Sequence, residues 1–556
     1  MSRDFNRALV LCALLAAVGC SDATSVQPPP PDPHPAAQAA RVVDDFPDEA
    51  EFRQIAAEIP EFGGYYLDEA GNLQTLVTDL SRAERVQQRL APVLRRFQAE
   101  RGGARFSRAG EAAPRVGVRR AAFTFLQLAA WRNAVLSALG STRGVVFIDL
   151  DEAVNRVTVG IESGSVRPRV EARLRALSLP RGAVGFVQAD PIEALSGPTA
   201  ARRELGAFTP VTLQNRVRPL LGGLRIGRMG HGCTLGLVVL AGGQPGALTN
   251  SHCSDIEWQT ESTAFYQPSY NGGAADGIGT EAYDPPGWLC NTILVDAYCR
   301  RSDASFMRLT SGVTAQVGII ARTTDVTSDS PSGSITIDPA GPSYQVVGEA
   351  AAAAGQWVEK VGSTTGWTRG PVTRTCASFS YYTHPRLCQT FVYMDGDDGD
   401  SGSPVFAFAG VPRTANSVNL FGLIFARSGI TMVYSPIRGI RADLEPGIGA
   451  FQTSYGSPPA PTYTVSINGP VAPTAYSWST WSATGTNGTS PYTYTWSRDG
   501  VEVGTGATYS DDAGSDAFEL SVTATDSQGR FAAWSIWVTP TESAPSGCPP
   551  PAITCE

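Results

Sequence analysis

Ser401 is the residue whose surroundings most clearly indicate chemistry. It lies in the run Gly-Asp-Ser-Gly-Ser-Pro at positions 399–404. A serine hydroxyl is a poor nucleophile at neutral pH unless a base, most often a histidine, takes its proton. The chain has only four histidines: His34, His231, His252 and His384. His252 follows an apolar run and directly precedes Cys253, so the two segments together predict a serine nucleophile with a histidine base.

The segments around Ser401 and His252 resemble the trypsin/chymotrypsin superfamily of serine proteases, and in particular its bacterial secreted branch. That family carries the base in Leu-Thr-Ala-Ala-His-Cys and the nucleophile in Gly-Asp-Ser-Gly-Gly-Pro. Here positions 248–253 read Leu-Thr-Asn-Ser-His-Cys, and Ser403 replaces the last glycine. Asp303 begins a stretch that resembles the family's acid-bearing strand. The chain order histidine, aspartate, serine is that of chymotrypsin and differs from the orders in subtilisins and α/β-hydrolases.

The resemblance implies a role for each group. His252 takes the proton of Ser401 as the hydroxyl attacks a peptide carbonyl, and Asp303 holds the imidazole in the correct tautomer. The backbone N–H groups of Gly399 and Ser401 would stabilise the oxyanion, at about 3–4 kcal/mol per donor in comparable enzymes. Asp296 is the competing acid nearby. The implied substrates are proteins or peptides, and the chemistry needs no metal or organic cofactor.

The preference for the residue before the cut is the least determined feature. In the superfamily, the residue six positions before the nucleophile lies at the base of the specificity pocket. Here that residue is Asp395, which slightly favours cleavage after arginine or lysine. Two alternatives stay open. Asp395 is solvated in an acidic loop, or Arg427 neutralises it and leaves a preference for acidic or small residues. Arg427 also stands where the family usually has a small residue that keeps the pocket open.

Composition limits the classes of protein and partner. The 556 residues, of which 42% are hydrophobic, indicate about three domains with sizeable cores. The net charge of −9 and the pI near 5.2 argue against a nucleic-acid partner. We expect a monomer. Lys360 is the only lysine, which we attribute to codon bias in a GC-rich genome and to no function.

The first residues are typical of an export signal. A short basic region precedes an apolar run that is too short to span a bilayer as a mature helix. The run ends in Ala-Val-Gly-Cys, which resembles a bacterial lipobox and predicts lipidation of Cys20 after removal of residues 1–19. Ser21 would then favour the outer membrane. Residues 20–44 form a proline-rich tether. The alternative is ordinary signal-peptidase cleavage and secretion.

Eight further cysteines indicate an oxidising compartment, because they occur as local neighbours. The simplest pairing is Cys233–Cys253, Cys290–Cys299, Cys376–Cys388 and Cys548–Cys555. The first pair resembles the superfamily bridge beside the catalytic histidine. Sequence alone cannot prove the connectivity. A metal site is disfavoured, because the cysteines lack Cys-x-x-Cys spacing and the histidines are scattered.

Residues 45–215 have a different character from the segments that carry the catalytic residues. Apolar spacing predicts helices over 83–101 and 121–139, a hairpin over 145–161, a helix over 168–179 and a strand over 183–187. This order resembles the pro-regions of secreted proteases of the α-lytic and streptogrisin type, which help the barrels to fold and then occupy or leave the active site. The alternative is an independent α/β accessory domain.

The remaining chain divides into a protease region and a separate β unit. Residues 220–449 are rich in Gly, Thr, Val and Ser, as the resemblance to an all-β double antiparallel barrel requires. The runs at 361–370 and 422–429 resemble two further strands of the bacterial branch. Residues 458–541 alternate cleanly and predict an immunoglobulin-like sandwich similar to polycystic-kidney-disease-type repeats. Residues 542–556 form a cysteine-containing tail. The expected protein is thus multi-domain, with an α/β domain before the barrels and a sandwich after them.

The sequence therefore predicts an exported, lipid-anchored serine endopeptidase at the outer membrane or cell surface, or a secreted one. The main alternative is a catalytically silent surface-binding lipoprotein that uses the protease fold and the sandwich as scaffold. A second alternative keeps the chemistry but makes the enzyme an esterase. The chain order and Cys253 argue against that alternative.

Overall fold

The structure is a computed structural model. It describes residues 46–100, 115–195, 211–228, 230–268, 276–290, 297–324, 333–339, 341, 343–381, 384–409, 416–454, 464–486, 490–499, 501–527 and 531–541. The predicted signal, Cys20, the tether, Asp296, Cys548 and Cys555 lie outside these residues. In the described part of the chain, no helix is long and apolar enough to cross a membrane.

The N-terminal region combines helices with short strands. Its helices are α1 (Ala50–Glu58), α2 (Ala83–Glu100), α3 (Phe125–Leu139) and α4 (Arg167–Leu174). Its strands are β1 (Phe62–Leu67), β2 (Leu73–Val77), β3 (Val116–Arg120), β4 (Val145–Asp151), β5 (Arg156–Ile161), β6 (Val184–Gln188) and β7 (Ile192–Ala194). Helix α3 begins after Thr124, because this residue and Gln127 form a reciprocal capping box. The helices pack on β1–β3 and on β4–β6 around one apolar core.

The central region is almost entirely β structure. Its elements are β8 (Leu220–Gly222), β9 (Arg225–Arg228), β10 (His231–Thr234), β11 (Leu237–Ala241), β12 (Gln244–Thr249), β13 (Ala264–Tyr266), β14 (Gly277–Tyr283), β15 (Trp288–Leu289), β16 (Tyr298–Cys299), β17 (Ser305–Leu309), β18 (Ala315–Ala321), β19 (Ser343–Glu349), β20 (Trp357–Gly362), β21 (Gly366–Tyr381), β22 (His384–Val392), β23 (Pro404–Phe408), β24 (Ser417–Ser428), β25 (Thr431–Pro436), α5 (Ile437–Ile448) and β26 (Phe451–Gln452). This composition agrees with the predicted chymotrypsin-like β fold.

Two large sheets carry the residues of interest. The first sheet has the order β10-β9-β13-β14-β17-β12-β11-β26 and is antiparallel throughout. The second sheet contains β20–β25 together with β18, β19 and β8. Buried side chains of both sheets, among them Leu248, Phe306 and Leu423, form one apolar cluster. Because the two sheets share this core, the loops at their ends are held in fixed positions relative to one another.

The N-terminal region continues the second sheet. Strand β4 pairs with β21 at Ile148 and Ser378, so that β6-β5-β4 extends the sheet beyond β21. A second contact is made by β7, which pairs antiparallel with the end of β24. Sequence periodicity predicted strands at β4, β5 and β6 but neither β7 nor this continuity, because strand pairing across more than two hundred residues leaves no local pattern.

Three of the four predicted disulfides are present in the described chain. They are Cys233–Cys253, Cys290–Cys299 and Cys376–Cys388. The first joins β10 to the turn that carries His252. The other two contribute to the apolar core of the N-terminal region. The fourth predicted pair lies outside the described residues.

The C-terminal unit contains two further sheets. Its strands are β27 (Thr464–Asn468), β28 (Trp478–Thr486), β29 (Thr493–Arg498), β30 (Val501–Thr505), β31 (Thr508–Asp512), β32 (Phe518–Thr525) and β33 (Phe531–Val538). One sheet has the order β27-β28-β31 and the other β30-β29-β32-β33. Buried and half-buried residues alternate along β32, and Trp481, Trp496 and Phe518 form the core between the sheets. This packing is that of a β-sandwich.

Candidate active site

Ser401 lies in the loop between β22 and β23, where two glycines fix the backbone. Gly399 has φ +93° and Gly402 has φ +92°, conformations that L side chains rarely adopt. A Cβ on Gly402 would also lie 2.1 Å from the Thr234 carbonyl oxygen. The glycines thus allow the tight turn that places the fully buried Ser401 between the two sheets.

His252 follows β12 on a short 3-10 turn, Ser251–Cys253, which the Cys233–Cys253 bridge ties to β10. Its Nε2 atom is 2.7 Å from the Ser401 Oγ atom. On the other side of the ring, Nδ1 is 3.2 Å from Asp303 Oδ2. The imidazole therefore bridges the hydroxyl and the carboxylate, as proton transfer from serine requires.

Asp303 lies two residues before the start of β17 and is buried. Its Oδ1 accepts the backbone N–H of His252 at 3.2 Å, and its Oδ2 lies 3.1 Å from a nitrogen of Arg386. Burial raises the pKa of Asp303, but the Arg386 guanidinium and His252 outweigh burial and hold this pKa well below its usual range. The carboxylate is therefore ionised throughout the neutral range and can stabilise an imidazolium.

The pKa of His252 lies above its ordinary value. Burial lowers it, but the charge and hydrogen bond of Asp303 outweigh burial, and Glu257 raises it further while Arg386 lowers it. Glu257 lies 3.7 Å from Arg386. A histidine must be neutral to accept a proton, so base function should fail as the pH falls through this raised pKa.

Lys360 and Asp400 form a second buried ion pair beside the nucleophile. The Lys360 Nζ atom is 3.2 Å from Asp400 Oδ2, and both side chains are fully buried. Backbone amides of Thr364 and Thr365 and the Thr365 hydroxyl also donate to the Asp400 carboxylate. The pair fixes the residue that immediately precedes Ser401.

The same loop presents the predicted oxyanion donors. The Gly399 carbonyl accepts hydrogen bonds from the hydroxyls of Thr234 and Ser363, at 2.8 and 3.0 Å, and the Ser401 carbonyl accepts the amide of Thr234. Within the described chain, the amides of Gly399 and Ser401 donate to no other group. Two N–H groups thus remain available near the nucleophile, as an oxyanion hole requires.

With this geometry in place, the chain can be compared with known proteins. No family model matches it, and no curated protein does. Among solved structures it is similar to protease A of Thermobifida fusca, with 20% identity over 42% of this chain and 98% of that chain and a TM-score of 0.29. It is similar to a glutamic-acid-specific serine protease, with 22% identity over 40% of this chain and 96% of that chain and a TM-score of 0.28.

Two further solved structures are similar to this chain. The secreted serine protease VesC of Vibrio cholerae is 11% identical over 57% of this chain and 67% of that chain, with a TM-score of 0.20. Fibronectin(III)-like modules of Clostridium thermocellum CbhA are 18% identical over 14% of this chain and 99% of that chain, with a TM-score of 0.13. Likeness at this level says nothing about activity, so the distances within the site must decide the chemistry.

A segment of the N-terminal region occupies the site. Strand β7 lies along β24 with Ala194 opposite Ala426 and Glu193 opposite Arg427. The Leu195 amide donates to the Phe425 carbonyl at 3.3 Å. The Ser401 hydroxyl donates to the Leu195 carbonyl at 2.8 Å. The end of the N-terminal region therefore contacts the Ser401 hydroxyl directly.

Arg427, one of the two residues predicted to select substrate, contacts two acidic side chains other than Asp395. Arg427 NH1 is 3.4 Å from Asp397 Oδ1, and its Nε is 3.8 Å from Glu193. Asp395 is half-buried, and its backbone carbonyl accepts the Thr368 hydroxyl at 2.8 Å. Asp397, two residues after Asp395, and Glu193 are thus acidic partners of Arg427.

Sequence reasoning missed three residues of the site: Lys360, Arg386 and Leu195. Lys360 carried a signal, because a single lysine in a chain otherwise dependent on arginine is unusual. Arg386 and Leu195 carried no signal in the sequence, since each reaches the site through distant strand pairing.

Three possible metal ligands, Cys233, His252 and Cys253, also lie close together. Its two cysteines are disulfide-bonded, so they are not thiolate ligands.

Proposed function

We propose that this chain is a serine endopeptidase that cleaves peptide bonds through an acyl-enzyme. The observation that carries the proposal is the bridge from Ser401 through His252 to Asp303, with separations of 2.7 and 3.2 Å. The proposal is also supported by the buried, ionised Asp303 carboxylate and by the backbone amides of Gly399 and Ser401.

The proposed reaction follows from these positions. The Ser401 oxygen attacks the peptide carbonyl while its proton passes to Nε2 of His252. The amides of Gly399 and Ser401 stabilise the resulting oxyanion. The carbon–nitrogen bond then breaks, and His252 gives its proton to the leaving amine. A water molecule, activated by the same imidazole, hydrolyses the ester and restores the hydroxyl.

We also propose that the N-terminal region acts as a pro-region whose end occupies the site until it is cleaved. Its support is the contact of Leu195 with Ser401 and the antiparallel pairing of β7 with β24. As long as this segment stays in place, an external peptide cannot form the same hydrogen bonds. Activity toward external substrates would then appear only when the segment leaves.

A fluorophosphonate probe, which reacts with an activated serine, tests the proposed chemistry. We expect labelling of the purified, processed protein and none in Ser401→Ala, because the alanine has no nucleophile. Ser403→Ala, two residues along the same loop, is the matched control and should keep its label. Unlabelled protein that is correctly folded and processed would favour the silent surface-binding scaffold instead.

Export with a lipid anchor is the proposed location, on the strength of the lipobox-like run that ends at Cys20. The mature protein should begin at a diacylated Cys20 and partition into membranes. Mass spectrometry of its N-terminal peptide measures this directly. An unmodified terminus at another residue would leave secretion as the alternative.

A further inference from the structure

The segment that contacts Ser401 lies in the orientation of a peptide about to be cut. Residues 192–194 form an antiparallel ladder with β24, and the next residue, Leu195, places its carbonyl against the nucleophile. We infer that the site selects peptides with a large apolar residue before the scissile bond and an acidic residue two positions earlier. Met432 and Arg427 are the residues that select them. This inference rests on the proposed function and names its substrate class.

The apolar preference follows from the surroundings of Leu195. Its side chain is fully buried and belongs to one apolar cluster with Met394, Ile424 and Met432. Since burial of a leucine removes most of its apolar surface from water, a leucine is favoured in this position over a smaller or charged side chain. An arginine there would have to leave water for an apolar cluster, which is unfavourable without a partner.

Met432 occupies the space beside the acidic loop. A Cβ built on Gly396 would lie 2.7 Å from the Met432 Cε atom and 2.8 Å from its sulfur. The thioether therefore packs against the backbone next to Asp395. A methionine adapts to apolar partners of different shape. The surface formed by Met432 should therefore bind a leucine or methionine side chain of the substrate better than a cationic one.

The acidic preference follows from the register of the ladder. Glu193 lies opposite Arg427, and the Arg427 Nε atom is 3.8 Å from a Glu193 carboxylate oxygen. Arg427 is one-third exposed and Glu193 two-thirds exposed. Exposed ion pairs contribute little, so the expected effect on rate is only about two- to fivefold. Arg427, which stands where the resembled family usually has a small residue, thus becomes a contact for the substrate chain.

Three synthetic peptides test the inference on the processed full-length protein. The first has the sequence Ile-Glu-Ala-Leu-Ser-Gly of residues 192–197. The second carries arginine for leucine, and the third glutamine for glutamate. Cleavage rates are normalised to the number of sites that react with the fluorophosphonate. The leucine peptide should be cut at least tenfold faster than the arginine peptide, and about two- to fivefold faster than the glutamine peptide.

The charge effect has its own variant and matched control. In Arg427→Gln, the glutamate and glutamine peptides should be cut at equal rates. Arg322→Gln, at the residue that follows β18 of the same sheet, should keep the wild-type ratio. A rate for the arginine peptide equal to or above that of the leucine peptide overturns the inference and restores Asp395 as selector. Labelled enzyme that cuts none of the peptides also overturns it, yet leaves the proposed function standing. Absence of both labelling and cleavage overturns both.

Discussion

Replacing Asp303 by asparagine should lower kcat by about four orders of magnitude. The asparagine amide can hold the imidazole in the tautomer that carries its proton on Nε2, and such a histidine cannot accept the proton of Ser401. The pH profile should move as well. Asp303 is the main cause that raises the pKa of His252 against burial. In Asp303→Asn that pKa falls, so the acid limb of residual kcat/KM should shift to lower pH.

The same variant separates chemistry from structure through Arg386. This guanidinium is fully buried, with Asp303 at 3.1 Å and Glu257 at 3.7 Å. Loss of the nearer carboxylate should reduce the free energy of unfolding by about 3–5 kcal/mol. The double variant Asp303→Asn/Arg386→Met removes both charges and should recover much of this stability, but none of the activity. Full activity in Asp303→Asn would show that the acid is another residue, with Asp296 the first to examine.

The sequence predicts the candidate triad because its motifs are local. Each of His252, Asp303 and Ser401 is recognised by its own neighbours, and the chain order joins them. No motif of neighbouring residues in the sequence identifies Arg386. This arginine lies beside Asp303 because β22 runs next to the segment before β17, where Arg386 forms an isolated parallel bridge with Arg300 and the Arg300 amide donates to the Pro385 carbonyl. A partner placed by sheet packing has no signature in a single sequence.

The positions of the helices were predicted better than the residues at which they end. Periodicity predicts helices near α2 and α3 because apolar residues recur at helical spacing. Helix α4 ends earlier than the predicted residue 179. Arg175–Leu177 form a 3-10 turn, and Ser178 adopts φ +50° before Pro180. The proline was visible in the sequence, but the left-handed serine, which is uncommon for this residue type, was not.

The preference for the residue before the cut was inferred from one family position, and Leu195 now points to another selector. Asp395 is acidic, but the apolar cluster that holds Leu195 depends on β24 and β25. Pocket chemistry is set by residues from several strands, so a single acidic position in sequence predicts it poorly. The peptide comparison decides whether the site prefers a cation, as Asp395 would select, or an apolar residue, as the cluster around Leu195 and Met432 would.

The stability of the nucleophile loop should depend on Lys360. In Lys360→Met the fully buried Asp400 carboxylate loses its ammonium partner at 3.2 Å and keeps only hydrogen-bond donors. Breaking a buried pair from one side costs about 3–5 kcal/mol, because the remaining charge is uncompensated. We expect a lower denaturant midpoint and a lower kcat, since Asp400 lies between Gly399 and Ser401, whose amides are the proposed oxyanion donors.

A double-mutant cycle distinguishes the pair from simple packing. Asp400→Asn alone leaves Lys360 buried without its carboxylate and should destabilise the protein similarly. Lys360→Met/Asp400→Asn removes both charges, so its loss of stability should be well below the sum of the single losses. Additive losses would mean that the two charges do not interact. In that case the loop would be held by its hydrogen bonds, among them those of Thr364 and Thr365 to Asp400 and those of Thr234 and Ser363 to the Gly399 carbonyl. The single lysine of the chain would then have no role beside Ser401.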